Sequence, residues 1–416
     1  MKLTGKKANL FIFIAFFCYL VAYVGRYSYS SVLVVLKDIH GEDVTGLVTM
    51  FLFFSYGGGQ LVSGLLSKKF NSVYLVAIGL TVSTACNLVL PLFINLNFNI
   101  VKFVWLVNGF AQSLLWCNLV KLISLNLEEK KISSTLIIMT FSVTLGTFLS
   151  YALSAWFINA EVYQAIFYTA GGLMAVGVVF WLIINLSFGK GRKGEQTSEE
   201  APKNEVVLTE RVTSKTPFVF FIISLFIAAI GAGFIRDGVQ TWFPTILKDV
   251  YGMDGSLSTL LSLALPLVSL VGVVIGQKVT DHMKRPALSS GVALIGTALL
   301  VLVVTLTLNY KIVALVIACF AVSVMLMNIV VHNSTGVMPF RMKNYIHVGF
   351  ISGLLDSFIY VGSGVATYAL GALSGVLGWN EVFTIIIIVA GVLGVISLIG
   401  SFINVKTESL ENKTLN

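Results

Sequence analysis

Charge is scarce in this sequence. Only 11% of its 416 residues are Asp, Glu, Lys or Arg, against 57% hydrophobic, and the mean hydropathy is +0.92. Soluble domains carry about 25% charged residues, so a surface wetted all round by water is excluded. Cysteine is nearly as rare. Cys18, Cys86, Cys117 and Cys319 fall inside apolar runs with no CxxC or paired spacing. That excludes a disulfide framework and a thiolate metal site, and leaves small buried apolar residues. Histidine occurs four times, and no HExxH, nucleophile elbow or Cys/His metal set is present. Neither an enzyme nor a cofactor is expected. The opening "MKLTGKKANLFIFIAFF" has no A-x-A-like cleavage site and runs on for a full span, so it reads as a retained first helix.

What the chain has in abundance is apolar runs of about 20 residues, each long enough to cross about 30 Å of hydrocarbon as a helix. Lipid offers no partner for backbone amides, so such runs are helices or closed barrels. Barrel strands would alternate over about 10 residues, and these runs are continuous. The expectation is an all-α membrane protein with twelve transmembrane helices. They lie near 10–36, 44–67, 72–94, 100–125, 132–157 and 162–188, then 217–247, 255–277, 286–308, 311–338, 346–372 and 380–404. Residues 189–216 hold the one long polar stretch and read as a solvated cytoplasmic linker. It joins two six-helix bundles, 1–188 and 217–404, with pseudo-two-fold symmetry; 405–416 form a tail.

The net charge is +8, but it sits in short loops rather than in a patch for nucleic acid. Lys2, Lys6, Lys7, Lys68, Lys69, Lys130 and Lys131 fall on one side, as do the basic residues of the linker, of the loops after spans 8 and 10, and of the tail. The opposite loops hold only Lys37, Lys102, Lys248 and Lys311. Basic loops stay inside, so a multi-pass protein of the cell membrane with both termini cytoplasmic is expected. Lys121, near the cytoplasmic end of span 4, can snorkel to that surface.

Two arginines remain deep in spans. Arg26 lies in "YVGRYSYSSVLVVL", eleven residues before Lys37, and Arg236 lies in "IRDGVQTWFPTILKDVYGM", twelve before Lys248. One arginine at similar depth in each half suits a transporter with its site at the midplane. A central arginine costs about 2.5–3.5 kcal/mol on insertion scales, so it faces a cavity or a partner. Guanidinium stays charged and grips phosphate or carboxylate through two parallel bonds. Two of them facing one cavity would clamp a dianionic group. The plainer alternative is a structural ion pair with Asp237 or Asp356. Asp237 adjoins Arg236, and side chains on neighbouring helical positions diverge by about 100°, so Asp356 is expected to be the better partner. Asp356 would then be a counter-ion released when substrate arrives, a group coupling transport to protons, or half of a permanent salt bridge.

Further polar residues recur at helical spacing. Tyr23, Arg26, Tyr27 and Ser30 follow i, i+3, i+4, i+7, one helix face. Gln60 lies in "SYGGGQLVSG", Asn108, Gln112 and Trp116 in "NGFAQSLLW", Asn328 and His332 four apart in span 10, and Tyr360 one turn after Asp356. Each alone is an ordinary helix-packing hydrogen bonder; together with the arginines they outline a polar pathway. "YGGGQ" lacks the strand, lysine and Ser/Thr of a phosphate-binding loop, so its glycines serve close helix packing.

These stretches carry a resemblance. The six-plus-six arrangement with a central linker resembles the major facilitator superfamily, and "YVGRYSYS", "SYGGGQLVSG", "NGFAQSLLW", "IRDGVQTWFPTILKDVYGM" and "IGQKVTDHMKRP" resemble its organophosphate:phosphate antiporter family. The resemblance implies that Arg26 and Arg236 are the paired phosphate-binding arginines, that Gln112 and Trp116 line the site, and that an organic phosphate exchanges for inorganic phosphate. Asp281, Lys284 and Arg285, after span 8, match a superfamily loop associated with gating. The sequence departs from the family in three places: Gln60 replaces a span-2 lysine, span 5 offers Ser142 where a histidine is usual, and Ser67 stands near a usual acidic residue. Losing two basic groups opens the reading to a less charged anion.

The expected function is secondary transport of a small organic anion, phosphorylated or carboxylated, by alternating access, with inorganic phosphate or protons as co-substrate. A monomer in the lipid bilayer suffices for this. Two alternatives stand beside it: a proton-coupled carrier of a neutral solute, and a non-transporting sugar-phosphate sensor.

Overall fold

The structure is a computed structural model that describes residues 3–189, 210–212, 215–283, 285–342, 344, 348–402 and 407–409. Helix α1 (Gly5–Tyr27) is followed by a 3-10 turn, Ser30–Val32, and α2 (Leu33–His40). Then come α3 (Glu42–Lys69), α4 (Ser72–Phe93), α5 (Phe98–Asn126), α6 (Glu129–Asn159) and α7 (Ala165–Gly189). After a short strand β1 (Glu210–Val212), α8 (Lys215–Tyr251) leads to α9 (Gly255–Leu261), α10 (Ala264–Met283) and α11 (Pro286–Thr307). Helix α12 (Val313–His332) passes through a π-turn, Asn333–Val337, into α13 (Met338–Arg341). The chain closes with α14 (Val348–Leu377), α15 (Trp379–Ser401) and β2 (Thr407–Ser409).

Local chemistry explains several boundaries. Asn97 caps α5 by accepting from the amides of Asn99 and Ile100, Asn71 caps α4 from Val73, and Asp254 caps α9 from Ser256. Each satisfies amides that a helix start leaves unpaired. Pro286 opens α11, where its missing N–H costs nothing.

Eleven stretches among the described residues are helical and apolar enough to cross a membrane. Helix α3 is the twelfth: its 28 residues rise about 42 Å at 1.5 Å per residue, and its glycines and Gln60 lower its hydropathy. Leu65, Leu96, Leu306 and Val376 stand exposed while Asn87, Asn108 and Asn118 are fully buried, an inside-out distribution suited to lipid.

Contacts gather the chain into two compact units. The first takes α1–α7 with residues 241–267 and 367–375; the second takes the described parts of 199–240, 268–366 and 376–416. Helix α8 therefore contributes to both, and Pro244 lies inside it just past the boundary. In the first unit, Ala15, Tyr19, Ala22, Leu80, Leu119, Met174 and Trp181 form one core around α1. In the second, α8 and α14 approach closely: a Cβ on Gly233 would lie 1.9 Å from the Ile359 carbonyl oxygen, and one on Gly362 2.0 Å from that of Ile230. Strands β1 and β2 pair antiparallel, Arg211 opposite Glu408.

Three expected spans are interrupted. The run 10–36 breaks after Tyr27, where the Ser28 hydroxyl reaches back to the Gly25 carbonyl (3.1 Å) and Ser31 to that of Ser28 (3.2 Å), competing with the helical ladder. Ser30 consequently lies in the 3-10 turn, not on the helix face of Tyr23 and Arg26. The run 255–277 breaks at Ser262–Leu263, because Pro266 has no N–H for the carbonyl four residues back. The run 311–338 contains the π-turn. Residues 210–212 of the expected linker pair with 407–409 of the tail, and most of the rest of the linker lies outside the described residues.

Candidate functional site

Arg26 occupies the last turn of α1 and is 4% exposed. Glycine brings that turn in close: a Cβ on Gly25 would sit 2.4 Å from the Met174 sulfur and 3.0 Å from the Asn87 amide. The arginine Nε donates to Gln112 Oε1 at 2.8 Å, and Nη1 to the Tyr23 hydroxyl at 3.2 Å. Two ring faces flank the guanidinium, with Cζ 3.9 Å from the Tyr56 centroid and 4.6 Å from that of Tyr23. Both lie inside the roughly 6 Å range of cation–π attraction.

The arginine sets a direction for everything behind it. Guanidinium only donates, so Gln112 must turn its carbonyl oxygen toward Arg26. Its Nε2 then donates to Ser83 Oγ (3.0 Å) and Asn108 Oδ1 (3.2 Å), and Ser83 donates to the same Asn108 oxygen. Asn108 Nδ2 ends the chain, buried and without an acceptor among the described residues. An aromatic run adjoins it. Tyr19 stacks on Trp116 at 5.3 Å between centroids, Tyr23 on Tyr27 at 6.2 Å, and Tyr27 meets Tyr151 at 6.3 Å.

In the second unit, Arg236 on α8 is 18% exposed and Asp237 2% exposed on their side chains. They pair side by side: Nε to Oδ1 at 2.8 Å, Nη2 to Oδ2 at 2.9 Å. This corrects the expectation that adjacent helical positions diverge too far. The Cα–Cβ bonds do diverge, but the arginine's long stem curls back and delivers its planar fork. Ser363 of α14 donates to Asp237 Oδ2 at 2.5 Å, across the helix contact that Gly233 and Gly362 permit.

The structure brings Tyr23, Arg26, Tyr27, Asn108, Gln112 and Trp116 into one connected cluster. Gln60 is buried, with Oε1 accepting from the Cys117 thiol at 3.4 Å, and Cys117 is half-buried rather than buried. Asn328 is engaged in helix packing, donating to the Ser269 carbonyl at 3.0 Å. Asp356 and Tyr360 lie one turn apart on α14, Asp356 half-buried and Tyr360 buried, and half-buried His332 ends α12 at the π-turn. Arg285 is the N-cap residue of α11, its Cζ 5.8 Å from the Phe402 ring centroid. The Asp281 side chain and Lys284 lie outside the described residues. Sequence reasoning missed Tyr19, Tyr56, Ser83 and Ser363. Tyr56 stands one turn before Gln60, a spacing already visible in "SYGGGQ"; Ser83 sits in an apolar run with no such signal.

Helices long and apolar enough to cross a membrane that bury charged side chains mark a functional site within the spans rather than a plain anchor. The sequence profile of the Major Facilitator Superfamily matches residues 15–354, and the chain belongs to that superfamily. A probable hexose phosphate transport protein of Chlamydia pneumoniae is 21% identical over 414 residues, covering 91% of this chain and 87% of that one. Among solved structures, a bacterial homologue of the human lysosomal transporter Spinster aligns with a TM-score of 0.75 at 13% identity, covering 96% and 98% of the two chains. A POT family transporter crystallised with 5-aminolevulinic acid aligns with a TM-score of 0.69 at 15% identity, covering 94% and 96%.

Proposed function

We propose that this transporter carries a small organic anion, a phosphorylated or carboxylated metabolite, by alternating access, with inorganic phosphate as exchange partner. The observation that carries the reading is a pair of arginines built into spans, Arg26 braced by Gln112 and two tyrosine faces, Arg236 by a carboxylate. The fork that Arg236 lends to Asp237 has the shape a substrate carboxylate or phosphate would take in its place. The Chlamydia relative, by its description, adds support for a sugar phosphate. In this reading Arg26 and Arg236 bind the anionic group, while Tyr23, Tyr27, Gln60, Asn108, Gln112, Trp116, Asn328, His332 and Tyr360 contact the rest of the substrate or shape its path. Asp237 and Asp356 serve as counter-ions. The lysine-rich loops lie on the cytoplasmic side of the cell membrane with both termini, the chain works as a monomer of two six-helix bundles, and the 281–285 loop is a gate.

The test is counterflow of labelled phosphate and sugar phosphates in proteoliposomes. Arg26→Lys and Arg236→Lys should each cut flux by about tenfold to a hundredfold, the value of a hydrogen bond to a charged group, with membrane insertion unchanged. Normal flux in both variants would end the reading. Neutralisation of Arg236 by Asp237 favours a second one, a carrier of a neutral solute driven by protons with Asp356 as the coupling group. It predicts that a protonophore stops accumulation and that phosphate does not compete.

A further inference from the structure

The turn that closes α2 and the turn that closes α8 are two copies of one phrase. Residues 36–43 read LKDIHGED and residues 247–254 read LKDVYGMD. Their backbones repeat as well. Gly41 has φ +88° and donates its N–H to the Lys37 carbonyl at 2.8 Å; Gly252 has φ +67° and donates to the Lys248 carbonyl at 2.9 Å. Both occupy the left-handed region that glycine enters without strain, and both end a helix there. Each copy thus projects its lysine and aspartate from a final helical turn of the same shape.

The two copies, both in the first unit, exchange partners. Lys37 Nζ lies 2.5 Å from each carboxylate oxygen of Asp249, and Lys248 pairs with Asp38. The lysine of each copy takes the aspartate of the other. Such reciprocity is the signature of an isologous contact, in which i meets j and j meets i about a local two-fold axis. Lys37 is only 8% exposed and also stands 3.4 Å from Glu42. By the charge asymmetry of the loops, this contact lies on the face opposite the lysine-rich one.

We infer that these two ion pairs form a latch that fastens α2 to α8 in the present conformation and is broken and remade once in each transport cycle. The inference rests on the alternating-access reading above. An apolar seal loses its whole hydrophobic gain whenever it opens to water. An ion pair does not, because its charges recover hydration as they part, so closed and open forms stay near balance. Placement fits the role. Lys248 follows Arg236 by twelve residues on one helix, so the latch and the arginine are borne by the same element.

One pair can report while the other is perturbed. Lys37 and Asp249 are separated by the length of a lysine side chain, too far for a direct disulfide. Lys37→Cys/Asp249→Cys is therefore bridged in membranes, without substrate, by a bis-methanethiosulfonate reagent of about that length, read as a gel shift and reversed by reductant. Rapid bridging is expected. Adding Asp38→Lys, which sets two ammonium groups against each other, should slow bridging by at least about tenfold. Adding Lys248→Asp on top should restore it. No bridging, or bridging indifferent to Asp38→Lys, overturns the latch. In proteoliposomes the bridged protein should show no counterflow, and reductant should bring it back; full flux through the bridged protein overturns the cyclic role. Because bridging needs no substrate, a wild-type chain that transports no anion would count against the function alone, while bridging still decides the latch.

Discussion

At the scale of the residue, the polar interior of the first unit is organised from one donor outward. Arg26 fixes the amide of Gln112, which fixes Ser83 and Asn108, and the unused donor capacity collects at Asn108 Nδ2. Gln112→Glu separates holding the arginine from offering its charge. The new carboxylate still accepts from Nε, and Asn108 can turn its free amide toward the oxygen that replaces Nε2. Thermal stability should therefore be kept, while affinity for phosphate or a sugar phosphate falls by about tenfold or more as the guanidinium is neutralised. A thermal-shift titration checks both halves. The arginines themselves were legible in the sequence, because a charge inside an apolar run has few explanations. Their partners were less so. Backbone periodicity places Cα atoms, and the Arg236–Asp237 pair depends on how a flexible stem bends, which periodicity does not encode. Nor does the sequence show that Tyr56 lays its ring against Arg26, since that needs the register of α3 against α1.

At the scale of the element, the spans were readable from hydropathy and their interruptions were not. Ser28 and Ser31 break the first run through side-chain bonds to the backbone, a device invisible to an average over twenty residues. The break near Pro266 did have a local sign. Glycine spacing shows where helices meet, and it yields a contrast. Gly233→Leu must push against the Ile359 backbone and separate α8 from α14, removing the Ser363 bond to Asp237. A loss of about 1–3 kcal/mol is expected, as for other overpacked sites. Gly58, in the run of three glycines on α3, would carry a Cβ with nothing within 4 Å of it, so Gly58→Ala should be neutral or stabilising by up to about 1 kcal/mol. Melting temperatures of the two variants in detergent decide the matter, and equal losses would show that the α8–α14 approach is not special.

At the scale of the whole molecule, the membrane class follows from composition, and the placement of lysines predicts the orientation. Both termini should lie on the lysine-rich, cytoplasmic side. Epitope tags at residue 1 and after residue 416 should react with antibody only after the membrane is permeabilised, whereas a tag inserted beside Leu96, an exposed residue at the other end of α4, should react in intact cells. Labelling of either terminus without permeabilisation would invert the assignment. Substrate identity was the least legible property, since a phosphate and a carboxylate present the same pair of oxygens to a guanidinium. The continuity of α8 has one more consequence. Pro244 cannot form the rung that would join it to the carbonyl of residue 240, and residue 240 is where the helix passes from one unit's membership to the other's. The rod is thus softest at its own crease, and flexure confined there would tilt the arginine end against the lysine end while sparing every other turn.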